Sequence, residues 1–127
     1  MLYAHPGTAY VYLIYGMYDC LNVVTEKHGT AGAVLFRAVT PPMGQELKTH
    51  GPGRLTRALN ITRQEFNGKA LTQWESGLCL AEGQLYADES VVQTTRIGIT
   101  KAVDYPWRFY VKDSPWVSVR EKSLNSI

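Results

Sequence analysis

Residues 9–25 constrain this chain more than any other stretch. Ala9-Tyr10-Val11-Tyr12-Leu13-Ile14-Tyr15 is dense in β-branched and aromatic side chains, and Tyr18-Asp19-Cys20-Leu21-Asn22-Val23-Val24-Thr25 continues in the same vein. Side chains of this kind favour the pleated backbone of a strand. Gly16-Met17 stands between the two runs, and a glycine in the first turn position is what a type II′ hairpin requires. The pair therefore predicts a β-hairpin. Two such strands cannot bury their apolar faces alone. Residues 31–39 supply a third apolar run, ended by Thr40-Pro41-Pro42 because proline donates nothing to a ladder.

Beyond the prolines the pattern turns helical. Pro52 stands at a helix start, and Leu55, Ala58 and Leu59 follow at helical spacing. Thr62-Arg63-Gln64-Glu65 is a capping box, and Asn67-Gly68 closes the segment. Residues 70–90 read as loop with one or two short strands. Strand patterns return at Arg96–Thr100 and Trp107–Val111. Ser114-Pro115-Trp116 then turns the chain into Val117–Val119, and residues 120–127 form a polar tail. The sum is α+β: a single domain over 1–127, with a mainly antiparallel, curved sheet, a protruding tyrosine hairpin and one or two short helices.

Composition narrows the class. With 45% hydrophobic and 19% charged residues the chain is globular, and a net charge of +2 suits a nucleic-acid partner only if the basic residues gather on one face. Cys20 and Cys79 lack metal-ligand or redox spacing and read as buried thiols. No apolar run approaches the ~20 residues of a membrane span. The first residues carry no signal-peptide pattern, so the expected location is cytoplasmic, at the nucleoid in a bacterium.

Alternation assigns faces to the tyrosines. Tyr10 and Tyr12 share one side of the first strand, and Tyr15 points to the other, beside the turn. Tyrosine also favours strands in general, so enrichment alone fits a covered core edge. An aromatic at an exposed hairpin tip has a second use, since it stacks on bases or wedges between base steps.

Five ordered blocks carry a resemblance. They are Ala9–Met17 with Cys20-Leu21-Asn22, then Leu35-Phe36-Arg37-Ala38, Gly51-Pro52-Gly53-Arg54-Leu55, Arg96-Ile97-Gly98-Ile99 and Pro106-Trp107-Arg108-Phe109-Tyr110. Together they resemble the C-terminal part of the alkyladenine (3-methyladenine) DNA glycosylases. The resemblance implies a base-excision enzyme that hydrolyses the N-glycosidic bond of flipped alkylated or deaminated purines in duplex DNA, without metal or cofactor. It implies that Tyr15 enters the minor groove in place of the flipped nucleotide, with Met17 beside it at the hairpin tip. Tyr12 would stack on the flipped base. Asn22 would stand against the base and reject guanine, and Arg37 would hold the attacking water beside a catalytic glutamate. That glutamate belongs to a segment the family carries upstream of these blocks. The chain is therefore expected to lack its own general base, and to be a monomer at full length.

The residues themselves bear on these roles. Arg37 interrupts an apolar run, and a guanidinium there needs a partner or access to water. Arg54, Arg57 and Arg63 flank the predicted helix, and Arg54 and Arg57 are candidate phosphate contacts. His5, His28 and His50 are scattered and match no metal motif, and no phosphate-binding or dinucleotide fingerprint occurs. Three readings stay open: a glycosylase, a non-catalytic fragment that binds damaged DNA, and a β-module using tyrosines as stacking platforms. The upstream glutamate separates the first two. The third wants its tyrosines on one face, whereas Tyr12 and Tyr15 differ in parity.

Overall fold

In the computed structural model the hairpin pairs β1 (Ala9–Ile14) with β2 (Tyr18–Val24), antiparallel, with Tyr10 opposite Asn22 and Tyr12 opposite Cys20. The structure describes residues 4–14, 16–27, 29–41, 46–83, 90–96 and 105–117. Tyr15 lies outside them, as do Pro42, residues 97–100 of the expected fourth strand, residues 118–119 of the last one and the tail 120–127.

The turn differs from the expected one. The Met17 N–H donates to the Ile14 carbonyl at 3.0 Å, so the turn closes one residue earlier than expected, and β1 ends at Ile14. Gly16 takes a φ of +64° at the second central position, not the first. The glycine is still the residue that permits the turn, because a side chain there would be strained.

The third run forms a shorter strand than its composition suggests. Only β3 (Ala33–Leu35) pairs with β2, with Leu35 opposite Asn22. Past it the chain changes partner: Ala38 bridges His50, and the Val39 N–H reaches the Thr49 carbonyl at 3.4 Å. Phe36 and Val39 both pack against the core, a spacing that strict alternation cannot give. The alternation of a single strand through Leu35, Arg37 and Val39 is therefore broken after Leu35.

Two short helices follow. In α1 (Pro52–Ala58), Pro52 sits in the first turn, where its missing N–H costs nothing. A Cβ on Gly53 would lie 2.6 Å from the Tyr18 ring, so glycine lets α1 approach β2 closely. The Thr56 hydroxyl donates to the Asp19 carbonyl at 2.9 Å and ties the same two elements. In α2 (Arg63–Phe66), the Thr62 hydroxyl accepts the Glu65 N–H at 3.2 Å, the first half of the expected capping box.

Ala9, Val11, Leu21 and Val23 on one sheet face join Leu55, Ile61 and Leu71 in the core, with Phe36, Val39, Phe66 and Leu78 around it. Beyond α2 the chain runs along the outer edge of β1. The Ala9 N–H donates to the Lys69 carbonyl (2.7 Å), the Gly68 N–H to the Ala9 carbonyl (2.8 Å), and the Val11 N–H to Asn67 Oδ1 (2.9 Å). An edge covered in this way cannot recruit a foreign strand there.

The chain divides into two compact units, Met1–Glu82 and Gly83–Ile127. All the elements above belong to the first. In the second, β4 (Val91–Thr94) and β5 (Arg108–Val111) pair antiparallel, with Gln93 opposite Phe109. β5 falls where alternation places a strand; β4 is too short to announce itself. Residues 70–83 hold a single 3₁₀ turn, Trp74–Ser76, among their described elements. Antiparallel sheets with short helices make the fold α+β. Among the described residues no helix is long and apolar enough to cross a membrane.

Candidate functional site

The sheet face turned away from the core has a different chemistry. β1 contributes Tyr10 and Tyr12 to it, and β2 contributes Cys20 and Asn22, all of even parity in the hairpin register. The two tyrosine rings lie with centroids 5.2 Å apart and planes tilted by 42°. Both are half-buried, while Cys20 (1% exposed) and Asn22 (6%) are buried beneath.

A buried amide needs partners. Asn22 Nδ2 donates to the Tyr10 carbonyl at 3.2 Å and lies 3.5 Å from the Cys20 carbonyl. The Asn22 amide also acts on the Tyr12 phenol. Burial pushes that phenol above its ordinary value of 10.0; Cys20 and Tyr10 push the same way, and the Asn22 amide and the Arg37 charge oppose them. Burial likewise raises the Cys20 thiol above 9.0, against the pull of Arg37 and with the help of Asp19. Arg37 thus acts electrostatically on both Tyr12 and Cys20, although it lies beyond the end of β3. At neutral pH this surface presents an un-ionised Tyr12 phenol, a neutral thiol, an ordered amide, a second ring and one cation. Such a surface suits a planar heterocycle, which gains from ring contact and can be discriminated by a fixed polar group.

The fold therefore gathers three of the expected residues: Tyr12, Asn22 and Arg37. The others lie elsewhere. Met17 is 74% exposed at the hairpin tip, and Tyr15 beside it lies outside the described residues. Arg54 and Arg57 are exposed on α1, which sends Leu55 into the core on the opposite side of the sheet. Arg54 Nη1 donates to the His50 carbonyl at 3.3 Å. Asp19, the acidic residue nearest the tyrosine motif, has odd parity in β2 and so points away from the tyrosine face. Among the described residues, no group of three His, Cys, Asp or Glu side chains is arranged to hold a metal ion.

The sequence model of the methylpurine-DNA glycosylases matches residues 1–115 of this chain. The chain belongs to that family. A relative from Prosthecochloris aestuarii, provisionally named a 3-methyladenine DNA glycosylase, is 44% identical over 130 residues; the match covers 93% of this chain and 61% of the relative. Relatives with the same provisional name occur in Salinibacter ruber, 47% identical over 92% of this chain and 61% of the relative, and in Alkaliphilus oremlandii, 42% identical over 93% and 68%. The chain thus spans about three-fifths to two-thirds of the length of these curated relatives. The family match runs through both units, from the tyrosine hairpin to β5.

Two members of the tyrosine face went unassigned in the sequence. Tyr10 and Cys20 flank Tyr12 directly, one two residues along the strand and one across it. Strand parity was the available signal for Tyr10. Cys20 had no such signal, because the expected turn sets Leu21 opposite Tyr12 and the turn one residue earlier puts Cys20 there instead. Cys79 corrects another expectation. It is only half-buried, because it lines an open apolar cleft with Leu59, Leu78 and Leu80.

Proposed function

We propose that this chain is the base-recognition part of a DNA glycosylase that removes alkylated or deaminated purines from duplex DNA. The observation that carries the reading is the convergence of Tyr12 and Asn22 on one non-core sheet face, within the electrostatic reach of Arg37, in a member of this family. Tyr12 stacks on the flipped purine, and its raised phenol stays neutral as that contact requires. Asn22, held by the Tyr10 carbonyl, aims its amide where the 2-amino group of guanine would stand. Tyr15 fills the gap in the base stack, with Met17 against the neighbouring step, and this recovers part of the few kcal/mol spent on unstacking. Arg54 and Arg57 contact phosphates.

The chemistry is hydrolysis. A carboxylate takes a proton from water as the oxygen bonds to the sugar carbon, and the purine leaves with the electrons of the N-glycosidic bond. Arg37 orients that water and the carboxylate. The carboxylate comes from the part of the family's length that the match does not span, since Asp19 faces away. Both units belong to one glycosylase domain, as the continuous family match suggests. At full length the enzyme works as a monomer on DNA in the cytoplasm.

The test is single-turnover excision from a hypoxanthine-containing duplex. The chain is compared with the same chain joined to the upstream residues of a full-length relative. The joined protein should cleave faster by about 10²–10⁴, the usual worth of a positioned general base. Equal rates would place the base within this chain and make Asp19 or Glu26 the residue to mutate. Lesion binding without excision by either protein would favour a damaged-DNA-binding role instead.

A further inference from the structure

We propose that Tyr105, Trp107 and Arg96 of the second unit form a stacking platform for an unpaired stretch of DNA. The Tyr105 and Trp107 rings are stacked, with centroids 4.6 Å apart and planes within 9° of parallel. The Arg96 guanidinium carbon stands 5.7 Å from the Trp107 ring centroid. Tyr105 is 54% exposed and Trp107 58%, and Phe109, next but one along β5, is 61% exposed.

The arrangement is held in place by the backbone around it. The Trp107 N–H donates to the Tyr105 carbonyl at 2.9 Å, which closes a tight turn and sets the two rings side by side. Gln93 of β4 donates from Nε2 to the Pro106 carbonyl at 3.0 Å, so the proline between the rings is fixed to the sheet. Rings already parallel lose little freedom when another flat group joins them.

The chemistry favours a nucleic acid over a protein. Unpaired bases stack on aromatic rings and on guanidinium planes, and every base has a face to offer. A base in a closed duplex has none to spare, so the occupant is single-stranded. A specific protein interface buries about 800 Å² on each partner, more than a few rings provide. Charge agrees with a polyanion: the exposed charges among the described residues of this unit are Arg96 and Lys112 against Asp113. The choice of DNA over other single strands rests on the glycosylase reading, since excision opens the duplex locally.

The experiment uses the full chain with Trp74→Phe and Trp116→Phe, which leaves Trp107 alone of the three tryptophans. Its fluorescence is followed as a twelve-nucleotide oligo-dT is added. Quenching should saturate, and the midpoint should weaken about tenfold between 50 and 200 mM salt, as two or three phosphate contacts dictate. Tyr105→Ala and Arg96→Gln should each weaken binding at least about fivefold, and Tyr105→Phe, which keeps the ring, should not. Tyr12→Ala should bind oligo-dT normally, so failure at this platform and failure of the base-pocket reading are distinguishable. No quenching, or quenching indifferent to salt, overturns the proposal. So does quenching that grows with protein concentration in the absence of DNA, since a second copy would then cover the face.

Discussion

On one side of β1 and β2, Ala9, Val11, Leu21 and Val23 meet Leu55 and Ile61; on the other, Tyr10 and Tyr12 lie over Cys20 and Asn22 beside Arg37. The two sides share one backbone, and their side chains alternate along it. The buried core residues on this side are aliphatic, with Phe36 and Phe66 at their margin, and ask nothing of orientation beyond fit. The tyrosine side buries an amide and a thiol, tilts two rings together and keeps a cation close. A sheet built for stability alone would leave such a face polar and open, or cover it with aliphatic residues. The difference teaches that parity separates two chemistries in the middle of the hairpin: Ala9, Val11, Leu21 and Val23 line the core, and Tyr10, Tyr12, Cys20 and Asn22 face away from it.

Substitutions can break that division or sharpen it. The largest effect belongs to the core side. Leu55→Ala removes a side chain only 1% exposed and should cost about 2–5 kcal/mol, read as a lowered denaturation midpoint. If that loss stays below about 1 kcal/mol, the odd face is not the core of this unit. On the tyrosine side, Asn22→Ala should relax discrimination. In the protein joined to its upstream segment, guanine excision relative to hypoxanthine should rise by about tenfold, the scale of one misfit contact in a pocket. An unchanged ratio would leave Asn22 a structural amide, held only for its bond to the Tyr10 carbonyl. The smallest effect lies away from both faces. Thr62→Ala deletes the acceptor for the Glu65 N–H and should cost about 1 kcal/mol in stability with no change in lesion binding. A change in lesion binding there would mean that the helical side also touches DNA.

The legible parts of this molecule are those fixed by short-range chemistry. β-branched runs around Gly16 announce the hairpin, Pro52 with Leu55 announces α1, and Thr62 with Glu65 announces α2. The expected turn, centred on Gly16 and Met17, sets Tyr12 opposite Leu21 and leaves Asn22 on the other face; the turn one residue earlier brings Tyr12 and Asn22 to a common face, a pairing that in the sequence rests on the family resemblance alone. What the sequence hides are the exchanges of partner. The run 31–39 reads as one strand because apolarity does not reveal that Ala38 leaves β2 for His50. Arg37 lies in that departing stretch, past the end of β3, and still acts electrostatically on Tyr12, so its neighbourhood is not given by strand pattern. The stack of Trp107 on Tyr105 is hidden for a similar reason: residues of equal parity stack in this way only when a tight turn draws their backbones together.

The central claim is that the even face of the hairpin is a base pocket. The most direct test is fluorescence anisotropy of matched duplexes, one with hypoxanthine and one undamaged, titrated with the chain and with its Tyr12→Ala variant. The wild-type chain should prefer the lesion duplex. Tyr12→Ala should lose roughly tenfold or more on that duplex alone, the worth of one stacked base, while its melting temperature holds within a few degrees. Equal affinity of the wild-type chain for both duplexes, or equal losses on both in the variant, would contradict the claim.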